Sequence, residues 1–313
     1  NIGEAPQIIN SEKKSITNRI KPVVQQKTKI IDDHYNKLTI DFTDNWSLIF
    51  RAYNDGVAYR IESNFSDSVK VNKETIEYNF AKDHKIYFPK EESMYTHQER
   101  EYRYIKLSTI GEKFSSIPAL IDMDDGTKVL ISESDLYDYP GLYLTGQKGT
   151  NPKLKAIFPH YPLETEQTSD RDIPVKEYAS YLAKTRGNRK YPWRLMIIAR
   201  EDKNLIESQL VYKLARPLEV NNPDWIKPGK VAWDWWNALN IYGVDFESGI
   251  NTQTYKYYID FAAKHNIDYI ILDEGWSDTR DLFAIKPEID LAELIQYGNQ
   301  KDVGIILWMV WTT

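Results

Sequence analysis

Acidic and tryptophan side chains are concentrated in three short stretches in the last third of the sequence. The stretches run from Asp234 to Asn237, from Asp273 to Trp276 and from Trp308 to Trp311, and each one ends an apolar, strand-like run. The flat face of an indole matches the C–H face of a pyranose ring, and neighbouring carboxylates and amides can bond the hydroxyl groups of the sugar. This combination of residues indicates a carbohydrate site.

These stretches have a regular spacing that predicts how they are positioned. Strands are expected at Val231–Trp236, Tyr269–Asp273 and Gly304–Val310, with helices at Thr252–His265 and Asp290–Gln300 between them. Such units join parallel strands, and eight of them close into a barrel whose active site lies at the carboxyl ends of the strands. We therefore expect the first three strands of a (β/α)₈ barrel, with the rest lying beyond this chain.

Packing is the alternative explanation for several of these residues. Trp233 and Trp308 could equally fill the interior of the barrel. The three acids Asp234, Asp273 and Glu274 are harder to explain in that way, because an unpaired carboxylate at the end of an apolar strand is costly unless it meets a ligand, a cation or a partner. The acids therefore favour a functional site more strongly than the tryptophans do.

The first 165 residues are typical of short antiparallel strands. Lys37–Phe42 alternates between polar and apolar residues, and Asn54-Asp55-Gly56 and Asp124-Asp125-Gly126 are turn sequences that tolerate positive φ. This pattern predicts a large β-sandwich over residues 1–215. Three prolines in residues 216–230 predict a linker, and residues 231–313 form the start of the barrel.

Composition excludes several classes of protein. The chain has 313 residues and a formal net charge of -6, with no basic stripe that could follow a phosphate backbone, so we expect no nucleic-acid partner. No apolar run approaches the ~20 residues of a membrane-spanning helix. The absence of cysteine excludes disulfides and thiolate chemistry. The first residue is Asn1 rather than Met, so we expect the chain to be part of a longer protein.

Five segments resemble one known family. VAWDWWNALNIYGVDF (Val231–Phe246) and YIILDEGWSD (Tyr269–Asp278) are similar to the start of the catalytic barrel of glycoside hydrolase family 97, which contains α-glucosidases and α-galactosidases. ISESDLYDYPGLYL (Ile131–Leu144) resembles the acid-bearing motif of its sandwich domain. FRAYNDGVAYRI (Phe50–Ile61) resembles its hairpin, and DIPVKEYASYLAKTRG (Asp172–Gly187) a further segment. The resemblance runs from about residue 28 to the end, and Asn1–Lys27 carries none.

The resemblance implies an N-terminal β-super-sandwich, a catalytic (β/α)₈ barrel and a calcium ion in the active site. It implies that Glu133 is a calcium ligand, since calcium prefers hard oxygen ligands, and we expect Glu133 to project from the edge of the sheet towards the barrel. Asp135 and Asp138 are expected to brace the turn that follows. The residues predicted to bind substrate are Asp234, Trp235, Asn237, Asp273, Glu274, Trp276 and Trp308.

The predicted function is that of an exo-acting α-glycoside hydrolase that releases a terminal α-linked hexose from an oligosaccharide by a calcium-assisted carboxylate mechanism. Galactose is favoured slightly over glucose. No catalytic residue is assigned, because the resemblance implies that the acid and the nucleophile or base lie beyond Thr313. The alternative is a non-catalytic carbohydrate-binding sandwich protein. We also expect a monomer, and the resemblance implies a bacterial protein that is periplasmic or otherwise exported.

Overall fold

The chain folds into two units that are not consecutive in sequence. The computed structural model describes residues 2, 5–24, 26–147 and 152–310. The first unit comprises Asn1–Glu164 and Val175–Asn221, and the second comprises Thr165–Pro174 and Asn222–Thr313. The sequence gives no sign that the ten residues from Thr165 to Pro174 group with the second unit. The division predicted at residues 216–230 stays a prediction.

Short strands dominate the part of the chain before residue 200. They are β1 (Ile8–Ile20), β2 (Ile31–Phe42), β3 (Trp46–Tyr53), β4 (Gly56–Asn64), β5 (Val69–Val71), β6 (Glu77–Asn79), β7 (Lys85–Glu91), β8 (Tyr102–Lys106), β9 (Phe114–Ser115), β10 (Ala119–Asp122), β11 (Lys128–Ser134), β12 (Tyr143–Thr145), β13 (Lys153–Ile157), β14 (Pro162–Thr165), β15 (Val175–Tyr178), β16 (Ala183–Thr185), β17 (Asn188–Lys190) and β18 (Trp193–Ala199). Among the described residues, fourteen of these strands are hydrogen-bonded into one continuous sheet.

The strand order of this sheet explains its core. The order is β1-β2-β3-β4-β18-β11-β10-β7-β9-β12-β13-β6, with β17 also beside β4 and β8 beside β7. One half of β7 pairs with β10 and the other half pairs with β9. Apolar side chains from both parts of the sheet share one core, and seven of them on its strands have no exposed surface: Ile86, Phe88, Ala119, Ile121, Ile131, Leu144 and Leu154. The predicted antiparallel sandwich is confirmed.

Both predicted hairpin turns are present. Tyr53 pairs with Gly56 at the end of the β3–β4 hairpin, and Asp122 pairs with Lys128 at the end of the β10–β11 hairpin. Gly126 in the second turn has a φ of 86°, a conformation that glycine adopts without steric cost. Gly56 has a different requirement, since a Cβ atom there would lie 2.4 Å from the backbone oxygen of Met196. Local turn chemistry therefore fixes the register of both hairpins.

A second core lies against the first unit's sheet and is covered by two short helices. Helix α1 spans Asp202–Glu207 and helix α2 spans Leu210–Leu214, in a segment that sequence patterns left unassigned. Leu210 and Leu214 are buried against Trp193, which is 1% exposed. The helices are too short to show a clear 3.6-residue period, which is why periodicity did not predict them.

The second unit has the predicted parallel arrangement. Its elements are β19 (Val231–Trp233), α3 (Thr252–Lys264), β20 (Tyr269–Leu272), β21 (Ser277–Asp278), β22 (Asp281–Ile285), α4 (Leu291–Gln300) and β23 (Gly304–Leu307). Strands β19, β20 and β23 lie side by side in that order and are parallel, and β21 pairs with β22 as a small antiparallel ribbon. Closure of the three parallel strands into an eight-stranded barrel stays a prediction.

The helices of the second unit bury the faces expected from their periodicity. Five residues of α3 are buried: Thr254, Tyr255, Tyr258, Ile259 and Ala262. Asp290 caps α4 by accepting a hydrogen bond of 2.8 Å from the backbone N–H of Glu293. The Glu293 carboxylate pairs with Lys256, and the Asp290 N–H donates to Thr252 instead. Of the two reciprocal hydrogen bonds of a capping box, only the one accepted by Asp290 is therefore formed.

The three parallel strands are shorter than predicted. Strand β19 ends at Trp233, where the sequence predicted Trp236, because Asp234–Asn237 turns into a short 3₁₀ helix. Ala238 and Leu239 follow with φ of 51° and 59°, so the chain bends away from the sheet.

No helix among the described residues is long and apolar enough to cross a membrane.

Candidate active site

The carboxyl ends of β19, β20 and β23 open into one depression of about 600 Å³ in the second unit. Its lining includes five of the seven residues that the sequence predicted to bind substrate. The lining residues are Arg171, Trp233, Asp234, Trp235, Ala238, Leu239, Ile250, Asp273, Glu274 and Trp308. Parallel pairing explains the convergence, because the residues that follow each strand emerge at the same edge of the sheet. Trp311 lies outside the described residues.

Asp234 is a buried acid whose two carboxylate oxygens have different surroundings. Its side chain is 2% exposed, and Oδ2 accepts a hydrogen bond of 2.8 Å from the Tyr255 hydroxyl. Among the described residues, Oδ1 has no hydrogen-bond partner. Burial raises the pKa of Asp234, and the charge of Asp273 raises it further. A buried carboxylate oxygen without a partner is costly, which favours a functional explanation for Asp234 over simple packing.

Asp273 and Glu274 form a fixed turn after β20. Asp273 Oδ2 accepts a 2.8 Å hydrogen bond from the indole N–H of Trp233, and Oδ1 accepts another of 2.8 Å from the backbone N–H of Glu274. Gly275 completes the turn with a φ of 106°. A Cβ atom at Gly275 would lie 2.6 Å from Ile250 Cδ1, the mobile end of a side chain, so it is the backbone conformation that requires glycine.

Trp233, Trp235 and Trp236 form a partly exposed aromatic cluster at the end of β19. Trp233 and Trp235 stack at 5.4 Å between ring centroids, and Trp236 packs edge-on against both. Trp235 is 62% exposed and Trp236 is 75% exposed, but only Trp235 lines the depression. An exposed indole beside carboxylates is the feature expected for stacking on a sugar ring.

Trp276 does not have the position predicted for a substrate-binding residue. It is 4% exposed in the apolar core of the second unit, and its indole N–H donates to the backbone oxygen of Trp308 at 2.7 Å. The bend at Gly275 directs the ring inwards. This placement favours core packing over the predicted sugar contact, and a role for Trp276 in substrate binding stays a prediction.

Asn237 also lies outside the lining of the depression. Its side-chain oxygen accepts a 2.7 Å hydrogen bond from the hydroxyl of Tyr258, and its Nδ2 donates to the backbone oxygen of Asn240 at 2.6 Å. Both groups of the amide are thus used to hold the turn after β19 against α3. This placement favours a structural role over the predicted contact with substrate.

Glu133 is held by an arginine. Strand β11 lies between β10 and β18, so Glu133 is in an interior strand and not at the predicted sheet edge. Oε1 accepts a 3.1 Å hydrogen bond from the Leu142 N–H, and Oε2 pairs with Arg194. Arg194 also binds both oxygens of Glu74, at 3.0 and 2.8 Å. Burial raises the pKa of Glu133 despite this guanidinium.

These contacts do not fit a calcium site within the first unit. Both Glu133 oxygens already accept hydrogen bonds, and the positive charge of Arg194 would repel a second cation. No group of three or more Asp, Glu or His residues that could hold a metal ion exists within the described ranges. Glu133 as a calcium ligand therefore stays a prediction from resemblance, and we derive no chemical step through calcium.

Asp135 and Asp138 bind side chains outside the turn that they were expected to brace. Asp135 pairs with Arg60 at 3.1 Å and with Arg216 at 2.8 Å, and it is almost completely buried. Asp138 accepts a 2.7 Å hydrogen bond from the Thr185 hydroxyl. Both residues have positive φ, which aspartate tolerates better than most residues. The two acids therefore connect the loop to the neighbouring strands β4 and β16.

Arg171 is the charged residue in the lining of the depression that the sequence did not predict. Its Nη2 donates to Glu274 Oε1 at 2.7 Å, and its guanidinium carbon lies 5.3 Å from the centre of the Trp308 ring. Arg171 and Glu274 are 103 residues apart. No local pattern connects residues at that separation, and the charged, polar surroundings of Arg171 are typical of any exposed loop.

The exposed indole provides a direct test of the depression. Replacing Trp235 with alanine in the complete protein should weaken the binding of the sugar product by about 1 to 3 kcal/mol, because the apolar ring face that stacks is lost. Isothermal titration calorimetry measures this directly. Trp236→Ala is the matched control, since Trp236 is adjacent and more exposed but lies outside the lining. Equal effects of the two substitutions would remove Trp235 from the site.

Two family models match the chain. The model described as "Glycosyl-hydrolase 97 N-terminal" matches residues 1–217, and the model described as "Glycoside hydrolase 97" matches residues 235–313. The match begins at the first residue, whereas the motifs in the sequence gave no resemblance before residue 28. The boundaries of the two matches leave residues 218–234 between them.

Similar proteins include a curated relative and several solved structures. A retaining alpha-galactosidase from Bacteroides thetaiotaomicron is 40% identical over 320 residues, which cover 98% of this chain and 48% of that protein. A glycoside hydrolase family 97 enzyme from Pseudoalteromonas sp. strain K8, solved in complex with acarbose, is 21% identical with a TM-score of 0.78, over 96% of this chain and 46% of that one. A beta-arabinopyranosidase is 19% identical with a TM-score of 0.75, over 97% and 47%. The chain thus spans about half the length of these proteins.

Proposed function

This chain belongs to glycoside hydrolase family 97, and from that premise we propose that the complete protein is an exo-acting α-glycoside hydrolase that releases terminal α-linked galactose. The observation that carries the proposal is the depression at the ends of the parallel strands, where Asp234, Asp273 and Glu274 lie beside the exposed indole of Trp235. Carboxylates next to an open aromatic face suit the hydroxyl and C–H groups of a hexose.

The residues of this chain are proposed to bind the sugar and not to break the glycosidic bond. Hydrolysis requires one carboxyl group that protonates the leaving oxygen and a second that attacks or activates water, about 5 Å apart when configuration is retained. The Asp273 oxygens accept bonds from Trp233 and Glu274, and the Glu274 carboxylate is held by Arg171. We propose that the catalytic pair comes from later strands, and that the configuration is retained, as the name of the Bacteroides relative supports.

Galactose is preferred to glucose on the strength of the relative that is 40% identical and is named a retaining alpha-galactosidase. The alternative of a non-catalytic sandwich protein is less favoured, because a binding sandwich does not require the three parallel strands of the second unit. A calcium ion, export from the cytoplasm and a monomeric state stay predictions.

The test of the proposed function is a comparison of hydrolysis rates for the complete protein. An aryl α-D-galactopyranoside should be cleaved with a kcat/KM at least about tenfold above that for the matching α-D-glucopyranoside, because a site that bonds one epimer's hydroxyl leaves buried groups unpaired with the other. The aryl β-D-galactopyranoside is the control and should not be cleaved. Proton NMR of the first product formed should show the α-anomer.

Two results would contradict this proposal. Faster hydrolysis of the glucoside would reverse the preferred sugar. Binding of galactose without release of any aryl group from any of the substrates would favour the carbohydrate-binding alternative.

A further inference from the structure

We infer that Arg171 is a positioning residue that holds the Glu274 carboxylate in the orientation in which it binds a sugar hydroxyl. This inference rests on the proposed function, and it assigns a role to a segment of the chain that no sequence motif marked as part of the site. Residues Thr165–Pro174 belong to the second unit although they are surrounded in sequence by the first.

The segment that carries Arg171 is braced by its own hydrogen bonds. The backbone N–H of Thr168 donates to the Asp172 oxygen at 2.9 Å, and that of Glu166 donates to the Pro174 oxygen at 3.1 Å. At the tip, the Ser169 hydroxyl donates to Asp172 Oδ2 at 2.8 Å and accepts from the Asp172 N–H at 3.1 Å. These hydrogen bonds fix the backbone of the loop. The position of the Arg171 guanidinium therefore depends on that fixed backbone as well as on the contacts of its own side chain.

The guanidinium of Arg171 is held on three sides. Its Nε and Nη2 each lie 3.3 Å from an oxygen of Asp170, and Nη2 also donates to Glu274 Oε1 at 2.7 Å. The plane lies over Trp308, with 5.3 Å between the guanidinium carbon and the ring centre. Arginine is suited to this arrangement because its flat fork can pair with two carboxylates and stack on an indole at the same time.

Glu274 requires such a partner. Its backbone is fixed through the bond to Asp273, but its side chain is 48% exposed. In the part of the chain that the structure describes, Arg171 is the residue that bonds the Glu274 carboxylate. An unrestrained glutamate side chain loses rotamer entropy when it is ordered. Holding the carboxylate before the sugar arrives removes part of that cost from binding.

The charges around Arg171 argue against a different role, the binding of an acidic sugar. Arg171 is paired with Asp170 and Glu274, so its positive charge is already balanced by two carboxylates. Asp234 and Asp273 add two further acids to the same depression. A uronate carboxylate would therefore meet net negative charge, whereas a neutral hexose would meet acceptors that suit its hydroxyl groups.

The experiment uses the complete protein and an aryl α-D-galactopyranoside, with KM and kcat measured separately. Arg171→Gln should raise KM roughly 10-fold and change kcat by less than about 3-fold, because a ground-state contact to the sugar is weakened. Arg171→Lys should recover only part of the affinity, since one ammonium group cannot both pair with Glu274 and lie flat over Trp308. The melting temperature should not change, since an exposed ion pair adds little stability.

A double-mutant cycle separates positioning from direct contact. In the Glu274→Gln background, Arg171→Gln should change KM by less than about 2-fold, because the residue through which Arg171 acts has lost its charge. Arg280→Gln is the matched control, since Arg280 is an exposed arginine of the same unit that does not line the depression. It should leave KM and kcat at the values of the unsubstituted protein.

Three outcomes would overturn the inference, and they are distinguishable. If the unsubstituted protein hydrolyses the galactoside but Arg171→Gln behaves like Arg280→Gln, the role of Arg171 is wrong and the proposed function stands. If Arg171→Gln selectively abolishes cleavage of an aryl α-D-galacturonide, Arg171 is an anion receptor. If the unsubstituted protein cleaves no α-glycoside, the proposed function and the inference both fail.

Discussion

Replacing Arg194 with methionine is expected to lower the free energy of unfolding by about 3 kcal/mol, because the substitution leaves two largely buried carboxylates without a cation. The Arg194 side chain is 2% exposed, and it binds Glu133 and both oxygens of Glu74. Its guanidinium carbon also lies 5.0 Å from the centre of the Phe158 ring. Methionine preserves most of the volume, so the loss reports the charges rather than a cavity.

The loss of stability in the Arg194→Met variant should be larger at neutral pH than at acidic pH. Burial raises the pKa of Glu133 from its usual value of 4.5, and Arg194 opposes that shift, so the pKa should rise further in the variant. An acid whose pKa is higher in the folded protein destabilises the fold when it is ionised. The penalty is therefore fully present above the folded-state pKa and decreases as the pH falls towards the unfolded-state value.

The measurement is urea unfolding of the complete protein at neutral pH and at about pH 5. The difference between the variant and the unsubstituted protein should be smaller at the lower pH. Arg19→Met is the control, because Arg19 forms a highly exposed pair with Asp32, and such pairs contribute less than about 1 kcal/mol. Adding Glu74→Gln and Glu133→Gln to the Arg194 variant should restore part of the stability. A small loss that does not vary with pH would be inconsistent with a buried ion pair.

Trp276→Ala should destabilise the second unit by about 3 to 5 kcal/mol, the range typical of removing a large aromatic side chain from a core. The substitution also leaves the backbone oxygen of Trp308 without its 2.7 Å indole donor. Thermal unfolding of the complete protein measures the loss, with Trp276→Phe as an intermediate variant that keeps an apolar ring but has no N–H group.

Trp236→Ala is the matched control for this prediction, because Trp236 is 75% exposed and should have little effect on the melting temperature. Sugar affinity must be measured on the same variants. If Trp276→Ala weakened sugar binding and left the melting temperature unchanged, the prediction that Trp276 binds substrate would be supported and its assignment to the core would be wrong.

The difference between Trp235 and Trp276 shows where sequence reasoning ends. Both follow an apolar strand and both lie within three residues of an acid, so their local patterns are equivalent. Their burial is decided by the backbone after each strand, a 3₁₀ turn at Asp234–Asn237 and a glycine of positive φ at Gly275. Those conformations depend on packing against α3 and Ile250, which a local pattern does not contain.

Elements whose structure follows from the local sequence were predicted well. Elements whose structure depends on pairing with a distant part of the chain were not. The hairpins at Gly56 and Gly126 and the buried face of α3 follow from turn residues and from a 3.6-residue period. Strand β1 is exposed along almost its whole length, so it has no alternating pattern and is defined by its pairing with β2. The convergence of three strand ends was predictable from parallel connectivity, whereas the contact between Arg171 and Glu274 was not.

The segment from Thr165 to Pro174 restricts where the gene of this protein can be cut and recombined without separating residues that contact each other. Since the polypeptide enters the second unit twice, that unit does not correspond to one continuous stretch of coding sequence. A gene fragment beginning at residue 222 would encode Glu274 and omit Arg171, its ion-pair partner. If two relatives exchanged the coding sequence downstream of residue 222, the resulting protein would have Arg171 from one relative and Glu274 from the other. The two units are therefore expected to have been inherited together, and loop substitutions are expected to accompany changes at Glu274.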